Sequence, residues 1–312
     1  LPIYSLYIYK KSKYISLYIF RFMNNAILIA NKYCIEKCIG SGTFGNVYKG
    51  KNQKSQEYVA IKLEDKRTSY KLLKRETSIL KYLYEQQCRF IPSVFWFGDL
   101  GDSMGLIMTY YEGSLSDYIN TKTVTENKIN NIMIQCIRIL ESVHNSLVIH
   151  RDIKPHNFML KNGEIYLIDF GLATFYVDDN RMHISNSINE QITGTPKYIS
   201  QFIHDGNTPS RRDDIISLGY MYIFLYAHEL PWDSVYNDDT HDPKYTSEIH
   251  TLHTKNIQRN QMKSIDNIFK VCGNINERIP VFFKNCYNIE YIEEPKYDFI
   301  CSIFAANNTI NI

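Results

Sequence analysis

From Tyr33 to about Lys62 the apolar residues come in short runs broken by turn-forming stretches. Val47 and Tyr48, then Val59, Ala60 and Ile61, flank the polar stretch from Lys51 to Ser55. That pattern predicts β-strands joined by tight turns. Over residues 69–86 the period changes. Leu72, Ile79, Leu80 and Leu83 fall on one stripe at helical spacing, which predicts a single helix there. Beyond about Asn127 helical periods dominate, over residues 128–146 and 213–228. The pattern therefore predicts an α+β chain of two lobes, a small strand-rich one followed by a larger helical one. The apolar run 106–108 and the stretch 110–116 make the natural connection. The expected folded domain covers residues 31–305. Its small lobe takes about 31–108, its hinge 109–113 and its large lobe 114–305. Residues 1–30 are an N-terminal extension and 306–312 a short tail. No internal repeat or low-complexity linker occurs, and residues 233–247 read as an exposed polar loop.

One position breaks the apolar stripe. Glu76 stands four residues from both Leu72 and Leu80, on the face expected to be buried. A carboxylate there is costly unless a cation pairs with it. Lys62, at the end of the apolar run 59–61, is the expected partner.

Composition narrows the classes. The 312 residues suffice for one large domain or two packed lobes. Apolar residues make up 44% and charged residues 22%, as in a water-soluble globular protein. Thirty-five basic against 33 acidic side chains give a net charge of +2, which demands neither a nucleic-acid nor a membrane partner. The seven cysteines are an odd number without a C-x-x-C pair, so reduced thiols in a cytosolic-type compartment are expected, and no zinc site. Residues 1–22 are rich in aromatic and aliphatic side chains. Lys10, Lys11 and Lys13 interrupt them before the roughly 18 apolar residues of a membrane span accumulate, and no signal-peptidase pattern follows. The favoured reading is that translation starts at Met23 or that this stretch is a loose extension. A cytoplasmic monomer without stable membrane insertion is expected. A nuclear location stays open, although there is no basic targeting run.

Three motifs carry chemistry. The first is Ile39-Gly40-Ser41-Gly42-Thr43-Phe44-Gly45-Asn46-Val47, a G-x-G-x-x-G-x-V string. A dinucleotide site with that spacing continues directly into a helix. Here the string continues into strand, turn and strand, which suits a hairpin lid whose backbone amides lie over phosphates. The strand Val59-Ala60-Ile61-Lys62 then places an ammonium for the α- and β-phosphates. The second motif is His150-Arg151-Asp152-Ile153-Lys154-Pro155-His156-Asn157. Phosphoryl transfer to an alcohol needs a carboxylate to accept the hydroxyl proton, here Asp152. It also needs a cation to balance the charge on the transferred group, here Lys154. Asn157 offers an amide oxygen to Mg2+. The third motif is Asp169-Phe170-Gly171 after the apolar run 165–168, with Asp169 as the second magnesium ligand.

In that order the motifs resemble protein kinases, and several further stretches resemble the casein kinase I family. Asn31-Lys32-Tyr33 opens the domain as it does in that family. Gly194-Thr195-Pro196-Lys197-Tyr198 is similar to its G-T-A-R-Y, and Ser210-Arg211-Arg212-Asp213-Asp214 with Ser217-Leu218-Gly219-Tyr220 to its S-R-R-D-D-x-x-S-L-G-Y. Leu230-Pro231-Trp232 and Glu294-Pro295-Lys296-Tyr297 complete the likeness, which spans about Asn31 to Phe304. The resemblance implies a bilobal kinase fold that uses ATP and Mg2+ on protein acceptors, with Ser/Thr specificity fitting Lys154. It places Ala60, Met108, Tyr111 and Met159 around adenine, with Met108 as gatekeeper. Asp214 is expected to hold the catalytic-loop backbone. Like the family, the sequence lacks an A-P-E string, and it leaves little room for a regulatory tail. Departures are informative. Only the serine of the family's S-I-N survives, in Ser200-Gln201-Phe202. Lys197 supplies a cation at the family's substrate-anion site, whereas Glu190 stands where lysine is expected. Asp233, Asp238, Asp239 and Asp242 make the following loop acidic. Two rival classes are a pseudokinase scaffold and a small-molecule kinase of the same fold.

Overall fold

The computed structural model describes residues 28–42, 45–68, 71–188, 192–233 and 256–305. The chain divides into two compact units. One comprises the described residues up to Lys74 together with Val94–Tyr110, and the other Arg75–Ser93 together with everything from Tyr111 onward.

The first unit is an antiparallel sheet in the order β1-β2-β3-β5-β4. Its strands are β1 (Tyr33–Gly42), β2 (Gly45–Asn52), β3 (Tyr58–Asp65), β4 (Val94–Asp99) and β5 (Ser103–Thr109). β3 lies at the centre because its side chains are apolar enough to be covered on the inner face. Val59, Ile61 and Leu63 pack there with Tyr33, Ile29 and Ile107. The β1–β2 turn needs its last glycine. Gly45 has φ +121°, and a Cβ there would lie 2.1 Å from the Leu63 carbonyl oxygen. Helix α1 (Leu72–Glu85) follows β3. Its first amides, on Leu72 and Leu73, donate to Oε1 of Glu64 at 3.0 and 3.2 Å, a cap supplied by the preceding strand. The helix starts three residues later than the apolar stripe suggested, and residues 69 and 70 lie outside the described set.

The second unit is mostly helical. Helices α2 (Leu115–Thr121), α3 (Glu126–Asn145), α4 (Gln201–His204), α5 (Arg211–Ala227), α6 (Ile265–Cys272), α7 (Arg278–Tyr287) and α8 (Tyr297–Ser302) accompany two small sheets. One sheet runs β6 (Gly113–Ser114), β8 (Phe158–Lys161), β9 (Glu164–Leu167), and the other pairs β7 (Val148–Ile149) with β10 (Thr174–Phe175). α5 is the axis of the core, buried continuously from Arg212 to Leu225. A helix that is apolar on every side can only sit inside other elements. Gly219 lets it approach α7, because a Cβ there would meet Phe282 at 2.6 Å and Phe283 at 2.8 Å. A reciprocal Ser210–Asp213 capping box starts α5, and His228 in the left-handed region (φ 61°) ends it. The architecture is α+β, with a strand-rich N-terminal unit and a helical C-terminal unit, as the hydrophobic pattern predicts. All seven cysteines are free thiols, five of them buried. Among the described residues no helix is long and apolar enough to cross a membrane.

Candidate active site

In the second unit the chain leaves α3 through Leu147 (φ 63°), forms β7, and turns again at Arg151 (φ 70°). Two left-handed residues so close together need an external hold, and Asp214 supplies it. Its carboxylate accepts from the backbone amides of His150 (2.7 Å) and Arg151 (2.8 Å) and from His144 Nε2 (3.0 Å). The carboxylate can only accept, which places a proton on Nε2 of His144. Nδ1 is then left to take the Tyr297 hydroxyl at 2.7 Å. Burial alone would raise the Asp214 pKa. The hydrogen bond from His144, with the electrostatic pull of the two neighbouring imidazoles and the His150 amide, outweighs burial and holds it below the ordinary carboxylate value.

The turn delivers Asp152, which is buried with 7% exposure, into a set of donors. Oδ1 accepts from the Thr195 hydroxyl (2.6 Å) and amide (3.2 Å). Oδ2 accepts from Lys154 Nζ (2.7 Å) and Asn157 Nδ2 (3.1 Å). Lys154 also reaches the Thr195 hydroxyl oxygen at 2.9 Å. Asn157, closing the short 3-10 turn Pro155–Asn157, donates from Nδ2 to the Asp152 carbonyl as well, at 2.8 Å. Its amide nitrogen is thus committed to Asp152, leaving the side-chain oxygen as the atom with lone pairs for a hard cation. The Asn157 carbonyl accepts from the Ile168 amide (2.8 Å), and His150 Nε2 donates to the Ile168 carbonyl (3.0 Å). These bonds join the catalytic-loop segment to Ile168, which links β9 to Asp169. Asp169 itself is left-handed (φ 67°), and Phe170 beside it packs edge-on against His150 with centroids 4.8 Å apart.

Other expected site residues divide by unit. In the first, Gly40 pairs with Val47, Ser41 with Asn46 and Gly42 with Gly45 across the hairpin, while Val47 pairs with Lys62 and Ala60 with Met108. Ile39 is exposed, whereas Ala60 and Met108 are buried. Thr43 and Phe44 lie outside the described residues. In the second, Met159 pairs with Tyr166 across β8 and β9, and the Tyr111 ring lies 4.9 Å from that of Tyr166. Glu76, 3% exposed, also belongs to the second unit, and Lys62 to the first.

A protein kinase domain model matches residues 33–308, nearly the whole chain. The chain belongs to the protein kinase family. Members are phosphotransferases that generally use ATP with Mg2+ and act on protein substrates. Among the described residues of this kinase no three His, Cys, Asp or Glu side chains converge as a metal site. A magnesium shell completed by phosphate oxygens and water needs only one or two protein ligands, so an Asn157 and Asp169 pair remains chemically suitable.

Lys197, expected from sequence to supply a cation at a substrate-anion site, is itself paired. Its Nζ is ion-paired with Asp233 at 2.6 Å and lies 5.1 Å from the Phe224 ring centroid. Asp233, read from sequence as a loop acid, also accepts from the Leu230 amide at 2.8 Å. Glu190, Asp238, Asp239 and Asp242 lie outside the described residues. The His144–Tyr297 link behind Asp214 escaped the sequence reading, because 153 residues separate its partners and no local period marks them.

Proposed function

We propose that this kinase is catalytically active and transfers the ATP γ-phosphoryl group to Ser or Thr hydroxyls of proteins, as a casein kinase I-like enzyme. The observation that carries the reading is the single carboxylate of Asp152 held at once by Lys154, Asn157 and Thr195. A scaffold has no use for a buried carboxylate kept so well oriented, and a small-molecule kinase has no use for the Thr195 contact from a segment resembling a peptide-facing one. Asp152 takes the proton from the attacking hydroxyl while Lys154 offsets charge on the group in transfer. Asn157 and Asp169 are the ligands assigned to Mg2+, which when bound neutralises phosphate charge. The sequence assigns Ile39 to Val47 and Lys62 to the phosphates, Glu76 to the charge of Lys62, and Ala60, Met108, Tyr111 and Met159 to adenine. Incubation with labelled ATP, Mg2+ and casein tests the proposal. Labelled phosphoserine or phosphothreonine is expected, and no incorporation by folded protein would refute it.

Activation-segment phosphorylation is expected to be dispensable. Residues 186–188 are already laced to residues 207 and 208. Asn186 Nδ2 donates to Asn207 Oδ1 (2.7 Å), the Ser187 amide to Thr208 Oγ1 (3.1 Å), and the Thr208 amide to Asn186 Oδ1 (3.1 Å). Ile188 and Asn207 form a β-bridge. Fully dephosphorylated protein made in bacteria should phosphorylate casein at the rate of untreated protein. Activity appearing only after treatment with an upstream kinase would contradict this.

Primed substrates should gain little. A phosphate approaching Lys197 competes with the Asp233 carboxylate already bound there. Matched peptides with and without an upstream phosphoserine should differ by less than about fivefold, a partly exposed ion pair being worth about 1 kcal/mol or less. Asp233→Asn should widen that ratio and make it salt-sensitive. A large primed preference in the natural enzyme, indifferent to Asp233→Asn, would move the anion site elsewhere.

A further inference from the structure

Lys263 is fully buried, just past the helical stretch 256–262. Its ammonium has three hydrogen-bond partners among the described residues, all uncharged groups in a polar cage. They are the carbonyls of Pro196 (2.8 Å) and Ile199 (2.7 Å) and Nε2 of His204 (3.2 Å). An ammonium carries three N–H donors, so the cage matches it in number. The rings of Tyr220 and Trp232 lie 5.0 and 5.1 Å away at their centroids and exclude water from it. Tyr287 fixes the backbone below, its hydroxyl donating to the Lys263 carbonyl at 2.7 Å.

A buried cation is expensive, and burial lowers the Lys263 pKa well below the ordinary lysine value. What it holds lies next to the catalytic carboxylate. Residues 196–199 belong to no strand, so their carbonyls lack a backbone ladder. Lys263 takes two of them, and Trp232 Nε1 donates to a third, that of Lys197, at 2.7 Å. Thr195, immediately before, contacts Asp152 and Lys154 through its hydroxyl. At its other end the segment runs into Ser200, whose buried hydroxyl bonds Asp213 at the start of α5. This segment beside Asp152 is therefore suspended from side chains of distant elements, with Lys263 as the shared anchor of both ends.

We propose that Lys263 is a positioning residue for the protein acceptor. By clamping the Pro196 and Ile199 carbonyls, it fixes residues 195–199 beside Asp152 and sets acceptor affinity without touching the nucleotide. This rests on the protein-kinase activity proposed above. Among the described residues its ammonium hydrogen-bonds Pro196, Ile199 and His204, none of them assigned to ATP, so its loss should separate the two substrates kinetically. The test measures KM for ATP, KM for dephosphorylated casein, kcat and melting temperature in wild type, Lys263→Met and Lys263→Arg. For Lys263→Met the casein KM should rise about tenfold while the ATP KM stays within about twofold. Lys263→Arg, which keeps a cation and several N–H donors, should recover most of the acceptor affinity. Equal losses in both KM values, an unchanged casein KM in Lys263→Met, or Lys263→Arg behaving like Lys263→Met would overturn the inference. If Lys263→Met does not melt cooperatively, Lys263→Gln supplies the comparison. It keeps a polar head and much of the volume but cannot fill three acceptors, and its casein KM should rise at least threefold. An active wild type indifferent to every Lys263 variant would sink this inference alone. A folded wild type that phosphorylates no protein would sink the activity reading with it.

Discussion

Asp152→Asn should lower kcat for protein phosphorylation by a thousandfold or more while leaving the melting temperature within a few degrees of wild type. The substitution preserves shape and keeps an oxygen for Thr195, whose hydroxyl sits 2.6 Å from Oδ1 in the native site. What it removes is the anionic oxygen. Positioned proton transfer contributes about a hundred- to ten-thousandfold in enzymes generally. Here the loss should be near the upper end, because Lys154 at 2.7 Å and Asn157 at 3.1 Å are both oriented by the same charge. An amide nitrogen in place of Oδ2 would face two donors and push them away. KM for ATP should change little, since Asp152 is not among the groups assigned to the nucleotide. Alanine is a less clean probe, as it strands the Thr195, Lys154 and Asn157 donors together. Single-turnover measurement at saturating ATP separates chemistry from binding. A variant that kept a tenth of wild-type turnover, with intact circular dichroism, would remove Asp152 from the role of base.

How far the sequence reveals this molecule depends on the range of each interaction. The strands around Val59–Ile61 and the helix carrying Leu80 and Leu83 were legible because their burial repeats at fixed local periods. So was the division into a strand-rich and a helical unit. The short string from His150 to Asn157 was legible as chemistry, since its bonds run among neighbours, as from Asn157 to Asp152. Long-range partnerships were not. Nothing near Lys263 announces that its ammonium closes on carbonyls more than sixty positions earlier. The surroundings of Lys197 were hidden for the same reason. Its charge was visible in sequence, whereas the Asp233 that occupies it lies 36 positions away across a turn. Charge can be counted along a chain, but whether a charge is available is decided by packing.

The second large effect is expected at Asp214, where structure and activity fail together. Asp214→Ala removes the acceptor of the His150 and Arg151 amides and of His144 in a site 2% exposed. Stranding buried donors of this kind costs about 3–5 kcal/mol, a large share of the stability of a typical domain. Activity should fall at least a hundredfold even at low temperature, because the left-handed turn at Arg151 that delivers Asp152 loses its hold. Asp214→Asn should lie between, since one amide oxygen can still accept while its NH2 group opposes a backbone N–H. The sign of the pH dependence follows from the lowered pKa. Folding depresses the Asp214 pKa, so at acid pH the unfolded chain binds the extra proton and the native state does not. The contribution of Asp214 is therefore fully present above the usual carboxylate value of about 4 and is lost as pH falls through the lower folded value. Urea melts of wild type and Asp214→Asn between pH 7 and pH 3 measure this directly. The two stability curves should converge toward the acid end, because the wild type alone loses the charged carboxylate there. Curves that stay parallel down to pH 3 would mean that the Asp214 charge does not hold the turn, and that the neutral hydrogen bonds suffice.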